Sequence, residues 1–174
     1  MNRVFLIGLP GSGKTSLGKE LAESMNYEFL DLDEEIEKKH GPISEIFRLK
    51  GETVFREIER ETLILTLFKR DVVVACGGGT ACFFNTMDWM NWNGTTVFLR
   101  RNMEALITQN GGKLSLRPMF LGLEEEEMRH KMEELLNKRE YFYLKSSFIF
   151  ETNQHFQKTL ESDIQDIVFG LSNL

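Results

Sequence analysis

The chain has 174 residues, 41% of them hydrophobic and 28% charged, values that suit one folded domain and exclude a disordered polypeptide. Its 21 Lys and Arg stand against 27 Asp and Glu, and the net charge of −6 argues against a nucleic-acid partner, which needs a basic field. Two cysteines, Cys76 and Cys82, have neither zinc-ligand spacing nor the abundance of a disulfide framework, and the opening apolar run is far too short to cross a bilayer. A cytoplasmic protein without a membrane partner is expected.

Arg3 to Ile7 is a short apolar run bounded by Gly8, Pro10, Gly11 and Gly13, which reads as a buried strand entering a glycine loop. From Lys14 to Met25, Leu17, Leu21 and Met25 recur every fourth position, predicting a helix with one apolar face. A second strand over Tyr27 to Leu30 ends in Asp31-Leu32-Asp33, and a helix over Glu34 to His40 stops at Gly41-Pro42. Ser44 is placed to cap a further helix that Gly51 interrupts, after which Phe55, Ile58, Thr62 and Leu65 share one face. The stretch from about 33 to 61 reads as an inserted helical region.

Val72 to Ala75 is a fully apolar strand breaking at Gly77-Gly78-Gly79, and Thr95 to Leu99 supplies a fourth strand after a tryptophan-containing helix. Helix, strand and helix follow over Glu124 to Tyr143, Ser147 to Phe150 and Phe156 to Leu171, the last with Phe156, Leu160, Ile164 and Val168 on its apolar face. Five strands alternating with helices define an α/β class in a single domain spanning 1–174. Between Asn110 and Gly122 lies a segment without periodicity, rich in glycine around Lys113 and Arg117, which reads as a mobile lid. The acidic run Glu124 to Glu127 reads as a solvated helix N-terminus, and Trp89, Trp92, Phe83 and Phe84 as core packing. His40, His130 and His155 lack metal-ligand spacing.

Gly8-Leu9-Pro10-Gly11-Ser12-Gly13-Lys14-Thr15 satisfies the pattern G-x-x-x-x-G-K-[ST] between a strand and a helix, the setting its chemistry needs. Glycines let successive backbone N–H groups turn inward on a phosphate, and the helix N-terminus adds positive potential. Gly11, Ser12, Gly13, Lys14, Thr15 and Ser16 are therefore the expected contacts of ATP, with Lys14 on the β- and γ-phosphates and Thr15 offering its hydroxyl to Mg²⁺. The apolar strand Val72 to Ala75 does not end in an acid, so Asp31, or less directly Asp33, at the end of another strand, is the expected carboxylate at the metal.

This P-loop, with Asp31-Leu32-Asp33, Gly51-Glu52-Thr53-Val54-Phe55-Arg56, Glu59, the glycine trio, Arg117-Pro118 and Arg139 before Tyr143, resembles the shikimate kinases, P-loop kinases of the nucleoside-monophosphate-kinase-like group. The resemblance implies a three-layer α-β-α fold on a five-stranded parallel sheet of order 2-3-1-4-5, working as a monomer on shikimate and ATP. It also implies that Asp33 accepts from the hydroxyls of shikimate, that Arg56 and Arg139 clamp its carboxylate, and that Gly78 and Gly79 present backbone N–H groups. Lys14, Asp33 and Arg117 would be the catalytic set, and Glu59 would orient a neighbouring arginine. Where the family carries an arginine at the start of the lid this chain has Gln109, and where it carries proline two residues after the last arginine it has Tyr141. A kinase for another small acid such as gluconate, or an ATP-binding regulatory module, are the alternative readings.

Overall fold

The computed structural model describes residues 2–114, 118–151 and 160–172. Five strands, β1 (Arg3–Ile7), β2 (Glu28–Asp31), β3 (Val72–Ala75), β4 (Thr95–Arg100) and β5 (Phe148–Glu151), form one sheet in the order β2-β3-β1-β4-β5. Every pairing is parallel, with Val4 opposite Val73 on one side and Thr95 on the other. The five residues of β1 and the four of β3 are all buried, as strands covered on both faces must be.

Although these strands look uniformly apolar in sequence, their side chains still alternate between two cores. Val4, Leu6, Val73, Val97 and Leu99 point to a layer built by α1 (Lys14–Met25) and α7 (Leu160–Ser172), through Leu17, Leu21, Ala22 and Ile167. Phe5, Ile7, Val72, Val74 and Phe98 point to a larger layer. That layer holds α2 (Leu32–His40), α3 (Ile43–Leu65), α4 (Thr86–Asn93), α5 (Met103–Leu114) and α6 (Glu125–Tyr143). The three-layer α/β architecture and strand order match what the resemblance implies. None of the described helices is long and apolar enough to cross a membrane.

Several local expectations are corrected. Pro42, not Ser44, stands at the N-cap of α3, while Gly51 (φ 82°, ψ 172°) interrupts that helix with a kink, as expected. Leu65 is half exposed while Leu63 and Thr66 are buried, so Leu65 falls off the inward face that Phe55, Ile58 and Thr62 do share. The region from 110 begins as helix, since α5 runs on to Leu114 with Ala105, Leu106 and Ile107 packed inward. In α7 Ile167 is buried and Val168 packs at its edge, while Phe156 and the side chains of Leu160 and Ile164 lie outside the described residues. Among the aromatics, Trp89 packs edge-on against Phe5 at 6.1 Å, but Trp92 is 84% exposed and Phe83 and Phe84 also reach solvent. They do not belong to the core.

Other expectations hold. Glu127 accepts from the Glu124 N–H at 2.9 Å, so the acidic run does cap α6. His40 and His130 are exposed, and His155 lies outside the described residues. Cys76 and Cys82 are both free thiols.

Candidate active site

A parallel sheet delivers the C-terminal ends of all its strands to one edge, and the loop after β1, Asp31 at the end of β2 and the glycine trio after β3 meet there. Gly8 leaves β1 with φ 144°, and a Cβ on it would stand 2.8 Å from the Leu99 carbonyl oxygen, so the loop passes β4 where only glycine fits. Gly13, in the left-handed region at φ 96°, turns the chain into α1. No acidic residue occupies the first turn of α1, which leaves its N–H groups and dipole to an anion.

Lys14 Nζ donates to the carbonyls of Gly8 (2.9 Å) and Leu9 (2.8 Å) and lies 3.4 Å from Ser12 Oγ, so its ammonium is aimed across the mouth of the loop. Ser12 is buried, Gly11 is half-buried, and Ser16 Oγ donates to the Gly13 carbonyl at 3.2 Å. Thr15 Oγ1 donates to Asp31 Oδ2 at 2.7 Å, while Asp31 Oδ1 accepts from the N–H groups of Asp33 (3.1 Å) and Glu34 (3.4 Å). One carboxylate thus caps α2 and meets the P-loop threonine. The pair presents two hard oxygen donors of the type a small divalent cation prefers.

Opposite the loop, a second cluster forms around Gly77, Gly78 and Gly79. Arg56, only 7% exposed, donates from Nη1 to Glu59 Oε2 at 2.7 Å and from Nη2 to Glu52 Oε1 at 3.1 Å. Glu59, equally buried, accepts from Thr80 Oγ1 at 2.6 Å through its other oxygen. A Cβ on Gly79 would lie 2.7 Å from Arg56 Nη2, and one on Gly77 would lie 2.6 Å from Glu59 Oε1 and 3.0 Å from Asp33 Oδ1. The trio is glycine because four charged side chains, Asp33, Arg56, Glu59 and Arg139, press against its backbone.

Arg139 Nη1 donates to the Gly78 carbonyl at 3.0 Å, and the Tyr143 hydroxyl donates to the same oxygen. Tyr143 is fully buried, its ring 4.9 Å from that of Phe98, and burial pushes its phenol well above the usual range, so it serves as a neutral donor. Tyr141, at the family's proline position, points away from this cluster: it is 67% exposed and packs under Lys145. The departure leaves Arg139 and Tyr143 in place, because α6 continues unbroken through both.

Burial also raises both thiols, Cys76 strongly and Cys82 to about 11, so neither is a nucleophile at neutral pH. Of the residues singled out in the sequence, Gly11 to Ser16 and Asp31 gather on one side, and Asp33, Arg56, Gly78, Gly79 and Arg139 on the other. Arg117 and the side chain of Gln109 lie outside the described residues. Thr80 and Phe83 were missed as site residues. A threonine directly after the glycine trio is the one signal that could have found the first; nothing local marks the second.

A glycine loop carried from a central parallel strand to an acid-free helix N-terminus, with Lys14 and Thr15 on it, defines a P-loop phosphotransferase. The shikimate kinase family model matches residues 10–168. The shikimate kinase of Parabacteroides distasonis is 43% identical over 175 aligned residues, covering all of this chain and 99% of that protein. Among solved structures, the shikimate kinase of Bacteroides thetaiotaomicron superposes with a TM-score of 0.93 at 36% identity over 98% of either chain. That of Acinetobacter baumannii, solved in complex with shikimate, gives 0.85 at 32% identity over 99% of this chain and 94% of its own. The chain belongs to the shikimate kinase family, and is an ATP-dependent kinase of aromatic amino-acid biosynthesis.

Proposed function

We propose that this chain moves the γ-phosphoryl group of ATP to the 3-hydroxyl of shikimate, using Gly11 to Ser16 for the donor and Asp33, Arg56, Gly78, Gly79 and Arg139 for the acceptor. The observation that carries this reading is the meeting of Asp33, Arg56 and Arg139, from three distant stretches of chain, around one glycine turn facing the P-loop. Two guanidinium groups suit a carboxylate, and an aspartate suits hydroxyls, so the combination fits a polyhydroxy acid. The shikimate bound by the Acinetobacter relative supports it.

Phosphoryl transfer passes through a loose transition state, so positioning and charge stabilisation matter more than proton removal. Lys14 would neutralise charge on the β- and γ-phosphates as the bond to the leaving oxygen lengthens. Asp33 would hold the attacking hydroxyl in line and take its proton as the new bond forms. Thr15 and Asp31 would hold Mg²⁺, whose chemistry when bound is to neutralise phosphate oxygens. Arg117 is proposed to stabilise the same charge from the segment 110–122, which closes as a lid over the site, while the helices of 33–61 form the wall for shikimate. All of these groups come from one chain, which supports a monomer.

The test is ADP release from Mg²⁺-ATP with shikimate, gluconate and nucleoside monophosphates offered separately, the product identified by ³¹P NMR. Shikimate-dependent release giving the 3-phosphate is expected. Release with another acceptor alone would overturn the substrate, and ATP binding without release would favour a regulatory module.

A further inference from the structure

Arg56 is held by more than its salt bridges, and the additional restraints come from one short segment after the glycine trio. Thr80 Oγ1, itself buried, closes a relay to Glu59 Oε1 (2.6 Å) and from Glu59 Oε2 to Arg56 Nη1 (2.7 Å). Three residues later the Phe83 ring lies over the same guanidinium at 4.5 Å, with the Phe55 ring at 5.0 Å. The next two residues, Phe84 and Asn85, are both left-handed, at φ 52° and 54°. Asparagine tolerates that region; phenylalanine held there is strained, and surrounding contacts must offset the strain. The Phe84 ring in turn lies 5.8 Å from the guanidinium of Arg60, one helical turn beyond Arg56. Two successive aromatics are thus set against two arginines of one face of α3.

We propose that Thr80 and Phe83 are positioning residues that hold the Arg56 guanidinium ready for the carboxylate of the acceptor, and so help determine which acids the enzyme accepts. The inference rests on the reading that Arg56 binds that carboxylate. Without the threonine hydroxyl, the buried Glu59 loses one of its partners and its grip on Arg56 loosens. Without the Phe83 ring, the guanidinium loses the nearer of its two ring contacts and keeps only that with Phe55. Neither residue lies on the P-loop, so ATP should not sense the change.

Steady-state constants for Thr80→Ala, Thr80→Ser, Phe83→Leu and Arg56→Ala test this, each alone and the first and third again in the Arg56→Ala background. Thr80→Ala and Phe83→Leu should each raise the KM for shikimate by roughly five- to tenfold, the range for one hydrogen bond to a charged group or one cation–π contact. The KM for ATP should stay within about twofold, and Thr80→Ser should restore the wild-type value. In the Arg56→Ala background neither substitution should raise the KM for shikimate further, because the group they position is gone. Should Thr80→Ala fail to fold, Phe83→Leu, on a partly exposed residue, carries the same test. Full additivity with Arg56→Ala, equal effects on both substrates, or no effect would overturn the proposal while leaving Arg56 as a ligand. An unchanged KM in Arg56→Ala alone would instead overturn the reading beneath it, and the proposal with it.

Discussion

The two halves of the site are built in different ways. The donor half is one continuous loop: Gly8 to Thr15 supply its backbone, its ammonium and its hydroxyl, and Asp31 joins it through Thr15. The acceptor half is assembled from α2, α3, the loop after β3 and α6, and its order depends on side chains pressed against glycine backbone. A local site survives drift elsewhere in the fold. A composite one transmits any error in packing to its ligand, because a buried guanidinium and carboxylate have no water to replace a lost partner.

That contrast can be broken most sharply at the donor. Lys14→Met should lower turnover by on the order of 10³-fold with the KM for shikimate nearly unchanged, as loss of one preorganised charge at a phosphoryl group does. Stability, read by thermal melting, should move little, since the ammonium donates to carbonyls of its own loop and sits at the rim of the sheet. A matching loss of stability would deny the independence of the two halves.

Arg56→Ala should act on both fold and ligand. It leaves Glu59 buried without its cation, a loss of about 3–5 kcal/mol in denaturant unfolding, and should raise the KM for shikimate by roughly 10- to 100-fold. A stability loss without a change in KM would make the pair purely structural. Gly79→Ala is subtler: its methyl would stand 2.7 Å from Arg56 Nη2, and the guanidinium is held by Glu52 and Glu59, so it cannot swing freely. The KM for shikimate should rise about tenfold with ATP affinity retained. Smallest is Tyr143→Phe, which removes the donor to the Gly78 carbonyl but leaves Arg139 on it. A loss of about 1 kcal/mol is expected, lowering Tm by roughly 2–4 °C. A larger fall would mean that the ring of Tyr143 is also displaced.

The same contrast explains what could be read beforehand. β1, β3 and α1 have the predicted ends, because an apolar run, a glycine break and a fourfold period are all local signals. Glycines at 111 and 112 hid the continuation of α5, which depends on Leu106 and Ile107 finding a core that no local pattern announces. Phe83, Phe84 and Trp92 were assigned inward on hydrophobicity alone, and an aromatic whose partner is an arginine on another helix defeats that rule. The site residues of the donor were legible as a motif. Those of the acceptor emerged from a family pattern, and Thr80 and Phe83, whose side chains meet Glu59 and Arg56 across the fold, emerged from the folded structure.

A crystal structure with shikimate and Mg²⁺-ADP would test the account most directly. It should show the shikimate carboxylate between Arg56 and Arg139, a ring hydroxyl on Asp33, and the metal beside Thr15. A carboxylate bound elsewhere, with Arg56 still closed on Glu52 and Glu59, would contradict it.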